Sequence, residues 1–423
     1  MKTKMSLALT AALCALSLAA YRVVDNSPSQ SAARTAGPAE SAQHDSETAM
    51  NSTLAAANNA FGFDLFQQLQ RQAAHKNVFF SPLSVVTALA MTYNGAAGET
   101  KQAMARALKI EGMNHAELNR ASADLLNALK SSDPKIELAI ANSLWVRQGP
   151  RFNEDFLARN RQFFGAEIST LDFGKPQSVA TINHWVDANT KGKIHEIIDR
   201  IDAQQVMFLI NAVYFKGQWQ KRFEKTLTQD QPFHLPGGRQ KQAPMMAQSG
   251  TYRYYHGDNF QAVSLPYGKG GVSLCLFLPD QESSLDDFLK NFSYQKWEQW
   301  VSSFRDTPGD VKLPRFKMDY EKTLNDDLKA LGMGVAFTPR ADFSGMRAER
   351  DLFISEVKHK AVVEVNEEGT EAAAATSVGI SKTSAIRPPQ QRFTFIADRP
   401  FLMAIRDSQT GAILFMGVVM EPK

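Results

Sequence analysis

Cysteine is scarce in this chain. Only Cys14 and Cys275 occur, and Cys14 lies in an N-terminal stretch with the form of a removable leader. The mature chain would keep one thiol, so no internal disulfide can form and stability must come from a packed core. Cys275 sits inside the apolar run 272–278 and reads as a small buried hydrophobe rather than a reactive group. The patterns of catalysis are also missing. There is no G-x-S-x-G elbow, and HEIID at His195 to Asp199 lacks the second histidine of an H-E-x-x-H zinc site. The 8 histidines are dispersed without ligand spacing, so neither an enzyme nor a metal or other cofactor is expected. An excess of one charge is absent as well: the formal +3 includes Lys2 and Lys4 of the leader, and the near-neutral remainder gives no support for nucleic-acid binding. Lys101, Arg106 and Lys109 could be grouped as a polyanion site, but Glu99 and Glu111 on the same helix make a solvated face the simpler reading.

The leader itself is explicit. MKTK, the apolar run Met5 to Ala20, and small residues at Ser17, Ala19 and Ala20 form a secretory signal over residues 1–20, which predicts a secreted or periplasmic protein. The run is too short for a membrane span. Cys14 raises a lipid-anchor reading that the bulky Leu13 before it argues against. Residues 21–53, rich in Ala, Ser, Gln and Asn, read as a disordered linker. A single domain then covers 54–423.

Within that domain, helical spacing recurs at Phe61, Leu65, Phe66 and Leu69, and again around 99–108, 116–129, 154–164 and 182–189. Ser81 and Pro82 stand at favoured helix-start positions. Strand-like runs dominate the second half, around 252–255, 262–265, 272–278, 311–316, 352–366, 392–396, 401–405 and 413–420. Without βαβ alternation the class is α+β. The run VMFLINAVYF at 206–215 is apolar except for Asn211. As a strand covered on both faces it must give Asn211 partners, because an unpaired buried amide costs about 1–3 kcal/mol. His359 is in phase with Val357, Ala361, Val363 and Val365 on an apolar face.

One stretch combines strand periodicity with a lack of anything to anchor it. From Glu367 to Ser384, alternate residues Thr370, Ala372, Ala374, Thr376, Val378 and Ile380 are small or apolar, as on the buried side of a strand. Yet Ala372 to Ala375 are poor strand formers and no bulky side chain is present. The expectation is a conditional strand, exposed in one state and inserted into a sheet in another.

Several segments together resemble the serpins: the stretch Glu367 to Thr376, the preceding DLFISEVKHKAVVEVN, NAVYFKGQW at Asn211 to Trp219, NVFFSPLS at Asn77 to Ser84, and FIADRPFLMAI at Phe395 to Ile405. The resemblance extends from about Leu54 to the C-terminus. It implies three β-sheets with about nine helices and an exposed reactive-centre loop at about 367–390. It also implies a hinge at Glu367, Glu368, Gly369, Thr370, Glu371, Ala372, Ala373, Ala374, Ala375 and Thr376. Ser81, Ser84, Asn211 and His359 would form a shutter beneath the large sheet, and Trp219, Arg315 and Glu367 a breach where insertion begins.

Counting along the hinge as in that family puts the reactive bond between Thr383 and Ser384, with Lys382–Thr383 as the alternative. Such a protein would be a monomeric suicide inhibitor trapping a serine protease, or a cysteine protease, as a covalent acyl complex. Thr383 suits an elastase-like or subtilisin-like target and Lys382 a trypsin-like one. A carrier or chaperone serpin is the alternative, against which the small hinge residues argue. About 14 inserted residues at ~3.3 Å each would span ~46 Å, close to the ~50 Å width expected of a compact domain of this length.

Overall fold

In the computed structural model, residues 38–73, 75–130, 133–149, 151–202, 204–370 and 392–423 are described. The leader therefore lies outside the described residues. Helix α1 (Pro38–Ala73) overturns part of the expected linker, since residues 38–53 are helical. Their Ala, Glu, Gln and Met favour helix strongly, and Pro38 stands at the first helical position, where a missing N–H costs nothing. Low hydrophobicity excluded a core there but not a helix. The sheets all belong to the compact unit Asp45–Lys423.

The α+β class is observed, with nine α-helices among the described residues. Six strands form one sheet: β2 (Ile136–Arg147), β3 (Glu167–Leu171), β4 (Met207–Gln218), β10 (Phe316–Thr323), β11 (Glu356–Asn366) and β12 (Gly369–Thr370), in the order β10-β11-β12-β4-β2-β3. The remaining strands form a second ladder: β1 (Val78–Phe80), β5 (Gln229–His234), β6 (Gln240–His256), β7 (Phe260–Tyr267), β8 (Val272–Pro279), β9 (Arg305–Pro314), β13 (Phe393–Ile396), β14 (Phe401–Asp407) and β15 (Ile413–Val419). The long strand β6 makes this ladder continuous. Its C-terminal end pairs β7, leading on to β8, β14, β15 and β1, while its earlier part pairs β5 and β9, with β13 beyond. Two of the three expected sheets are thus arms of one ladder sharing a strand.

Helix α2 (Pro82–Tyr93) is buried along its whole length and belongs with β4 residues Leu209, Val213 and Phe215 to the main core. The opposite side of β4 is also covered. Phe208, Ile210 and Ala212 cluster with Ile182 and Val186 of the helix Gln177–Asn189 and with Ile194, Ile197 and Ile198 after it. Double coverage explains why β4 is apolar almost throughout. It also leaves Asn211, 0% exposed, with no route to water.

The centre of the six-stranded sheet has an unusual pairing. β4 and β11 run parallel and pair directly, from Phe208↔Glu356 to Tyr214↔Val362. Beyond that they part, and β12 lies antiparallel between them, Thr370 opposite both Val365 and Gly217, and Gly369 opposite both Asn366 and Gln218. β12 is therefore a strand just begun in a slot that is otherwise closed.

Candidate functional site

Directly along that slot, the closed part of the sheet carries a row of polar side chains. The register sets Asn142 of β2 and His359 of β11 on either side of Asn211. Asn211 Nδ2 donates to the Ser84 carbonyl at 3.0 Å, and also contacts Ser84 Oγ and Asn142 Oδ1. Its Oδ1 accepts from the His359 Nδ1–H. The other ring nitrogen, Nε2, accepts from the Ser81 backbone N–H at 3.3 Å, which sets the neutral tautomer with hydrogen on Nδ1. Ser81 Oγ caps α2 by accepting from the Ser84 N–H at 3.1 Å. Ser81, Ser84, Asn211 and His359 are thus one connected cluster, and Asn142 is a fifth member that the sequence reading missed. Its signal was present: it is polar among apolar neighbours in IELAIANSLWV.

Burial pushes the His359 imidazole down to about 3. Between that value and the ordinary 6.5, the unfolded chain holds a proton that the folded chain lacks, so stability falls as pH drops through this window. Denaturant unfolding of wild type should lose up to about 1.4 kcal/mol per pH unit there relative to His359→Gln. Equal slopes in the two proteins would count against the assignment. Glu367 acts differently. Burial pushes its carboxyl up, but its own backbone N–H, the Thr228 hydroxyl and Arg315 outweigh burial and hold it below the usual range. Its contribution is present above the ordinary carboxylate value and is lost as pH falls through the lowered folded value.

The upper end of the slot is held by the residues around β12. Trp219 N–H donates to the Glu368 carbonyl at 3.0 Å and Phe223 N–H to that of Glu367 at 2.9 Å. Trp219 Nε1–H donates to the Asn366 carbonyl at 2.8 Å, and its indole stacks on Tyr267 with centroids 4.4 Å apart. Glu367 Oε1 meets Arg315 Nη2 and Thr228 Oγ1, each at 2.8 Å. The carboxylate is buried, with 4% exposure, while Arg315 is half exposed. Glu368 Oε1 pairs with Lys225 Nζ at 2.9 Å. The expected breach residues Trp219, Arg315 and Glu367 do converge; Thr228, Lys225 and Tyr267 join them with no signal in their own surroundings.

Gly369 and Thr370 are buried rather than exposed. A Cβ on Gly369 would lie 2.0 Å from the Gly217 carbonyl oxygen and 2.7 Å from Gln218 Cα, at a φ of +154°. Both obstacles are backbone, so neither can turn aside. Gly369→Ala should expel β12, and amide exchange at positions 369 and 370 should quicken by at least about tenfold. Retained protection would contradict this reading. Thr370 is 0% exposed and its Oγ1 lies 2.6 Å from the Tyr267 hydroxyl. The other expected hinge residues, Glu371 to Thr376, and the reactive-bond candidates Lys382, Thr383 and Ser384 lie outside the described residues.

Comparison with known proteins agrees across the chain. Residues 56–422 match the family described as Serpin (serine protease inhibitor). An uncharacterized serpin-like protein of Thermococcus kodakarensis is 36% identical over 369 residues, covering 87% of this chain and 85% of the relative. Leukocyte elastase inhibitor of Bos taurus is 36% identical over 382 residues, covering 87% and 99%. Among solved structures, the thermophilic serpin tengpin in its native state superposes with a TM-score of 0.80 at 33% identity, covering 87% of this chain and 94% of that one.

Proposed function

The chain belongs to the serpin family, and from that premise we propose that it is an irreversible suicide-substrate inhibitor of serine proteases acting outside the cytoplasm. The observation that carries this reading is the slot. A short strand of small residues already lies between β4 and β11, in line with a path that the rest of the loop can follow.

The protease supplies the nucleophile. Its serine hydroxyl attacks the Thr383 carbonyl, the bond to Ser384 breaks, and the Ser384 amine leaves with a proton while an acyl-enzyme forms. The freed segment then extends β12 downward, separating β4 from β11 and opening the Asn211–His359 contact. Lost pairing along Phe208–Tyr214 is replaced by pairing on both sides of the new strand. A dozen or so added ladder bonds at about 0.5–1.5 kcal/mol each release on the order of 10 kcal/mol, as much as the whole stability of an ordinary domain. That drop is large enough to distort an attached protease before water completes deacylation. Thr383 favours an elastase-like or subtilisin-like target.

Two measurements test the proposal together. A panel of serine proteases should yield one complex that survives SDS, with mass spectrometry placing cleavage after Thr383. Cleavage of the loop by a non-target protease should raise thermal stability sharply. Cleavage with no gain in stability would argue for a carrier of the same fold and against an inhibitor.

A further inference from the structure

We propose that Lys225 is a positioning residue for β12: by holding the Glu368 carboxylate inside the protein, it keeps the turn between β11 and β12 folded and the first residues of the inserting strand in the slot. This role rests on the inhibitor reading, in which β12 is the strand that insertion extends.

By its own chemistry the turn is a poor one. Asn366 pairs with Gly369, so Glu367 and Glu368 form a two-residue hairpin loop. Loops of that length match the twist of their strands when the first or both central residues have positive φ, which favours Asn-Gly, Asp-Gly or a leading glycine. Glutamate suits neither place, and both glutamates keep negative φ. Left to itself such a turn splays its strands. Both residues are also buried, although a turn ordinarily lies in water. Within the turn, the Glu368 N–H donates to Asn366 Oδ1 at 3.0 Å, a local bond that restrains the backbone without answering the buried charge.

The remaining hold comes mostly from the segment after β4. Trp219 N–H and Phe223 N–H donate to the carbonyls of Glu368 and Glu367. Glu367 has two side-chain donors, Arg315 and Thr228. Glu368 has one. Its Oε1 accepts from Lys225 Nζ at 2.9 Å, whereas Oε2 is buried without a hydrogen-bond partner, and among the described residues no second cation lies in ion-pair range of it. Lys225 opens the short 3-10 turn Lys225–Leu227, and its side chain is 64% exposed against 10% for Glu368. The pair is therefore asymmetric. An ion pair with both ends in water contributes little, but taking the cation from a buried carboxylate leaves an uncompensated charge. That carboxylate recovers its hydration by moving outward, and the movement carries the adjoining Gly369 away from β4.

Amide exchange at position 370, measured in the full chain without protease, tests this. Lys225→Met keeps a long unbranched side chain and removes its charge. Exchange should quicken at least about tenfold, equivalent to about 1.4 kcal/mol of local opening. Lys225→Arg should keep the wild-type rate. On the Glu368→Gln background, where no charge is left to strand, adding Lys225→Met should change the rate less than about twofold. Amides of β14 and β15 should exchange alike in every variant, which separates a hold on the turn from a general loss of stability. An unchanged rate in Lys225→Met, an equal rise in Lys225→Arg, or the full tenfold rise on the Glu368→Gln background would each overturn the proposal. The inhibitor reading fails separately: if no serine protease gives an SDS-stable complex with wild type while these rates behave as stated, Lys225 still holds β12, and the strand serves another purpose.

Discussion

Arginine in place of Thr370 should yield a chain that proteases cleave but that no longer holds them. Thr370 is fully buried between Val365 and Gly217, with its hydroxyl on Tyr267, which in turn stacks on Trp219. An arginine there must either desolvate a guanidinium, at a cost of several kcal/mol, or keep β12 out of the slot. In the proposed mechanism insertion competes with hydrolysis of the acyl-enzyme, and each 1.4 kcal/mol added to its barrier slows it about tenfold. The yield of SDS-stable complex should therefore drop by at least about tenfold while loop cleavage stays as fast as in wild type. Thr370→Ser, which keeps the hydroxyl and adds no bulk, should retain most of the yield. An undiminished yield for Thr370→Arg would remove β12 from the inhibitory path.

Asn211→Leu should produce the largest loss of stability among single changes in the polar row. The leucine is close in volume, so the cost is polar rather than steric. It strands the His359 Nδ1–H and takes a donor from the Ser84 carbonyl and from Asn142. At about 1–3 kcal/mol for each of these three buried groups, the loss is at least about 3 kcal/mol, readable as a lower denaturant midpoint with unchanged slope. His359→Phe alone should also destabilise, by stranding the Asn211 oxygen and the Ser81 N–H. The two changes combined should cost less than their sum, because neither partner is then left waiting for the other. Strict additivity would mean that the row is not a coupled unit. The same physics makes the row a latch: opening the sheet must break it, and a cheaper latch should speed spontaneous loss of the native state.

What could be read locally was read from local chemistry. An apolar run with one amide, VMFLINAVYF, announces a doubly covered strand and a buried polar partner, because a strand's environment is set by its own alternation. The small residues from Gly369 onward announce a segment able to enter a sheet without steric cost. Ser81 and Pro82 start α2 where a cap and a proline should. Residues 38–53 show the limit of the same method: composition excluded a core, but helix formation needs only propensity and tertiary support for one end.

Other features had no local cause. Asn142 lies 69 residues from Asn211, and His359 lies 148 residues from it on the other side. Which of them meet is decided by register across three strands, since a slip of one residue would turn each side chain to the opposite face. Likewise, Tyr267 is one aromatic among many until β12 brings Thr370 to its hydroxyl. By itself the sequence determined the propensities: where strands and helices can form, which residues must be buried, and which segment can insert. Tertiary structure alone decided that β12 has already entered between β4 and β11 and which polar groups close the slot beneath it. Propensity is a property of neighbours along the chain, whereas hydrogen-bond partners and charge neutralisation belong to groups that only long-range pairing brings within about 3 Å.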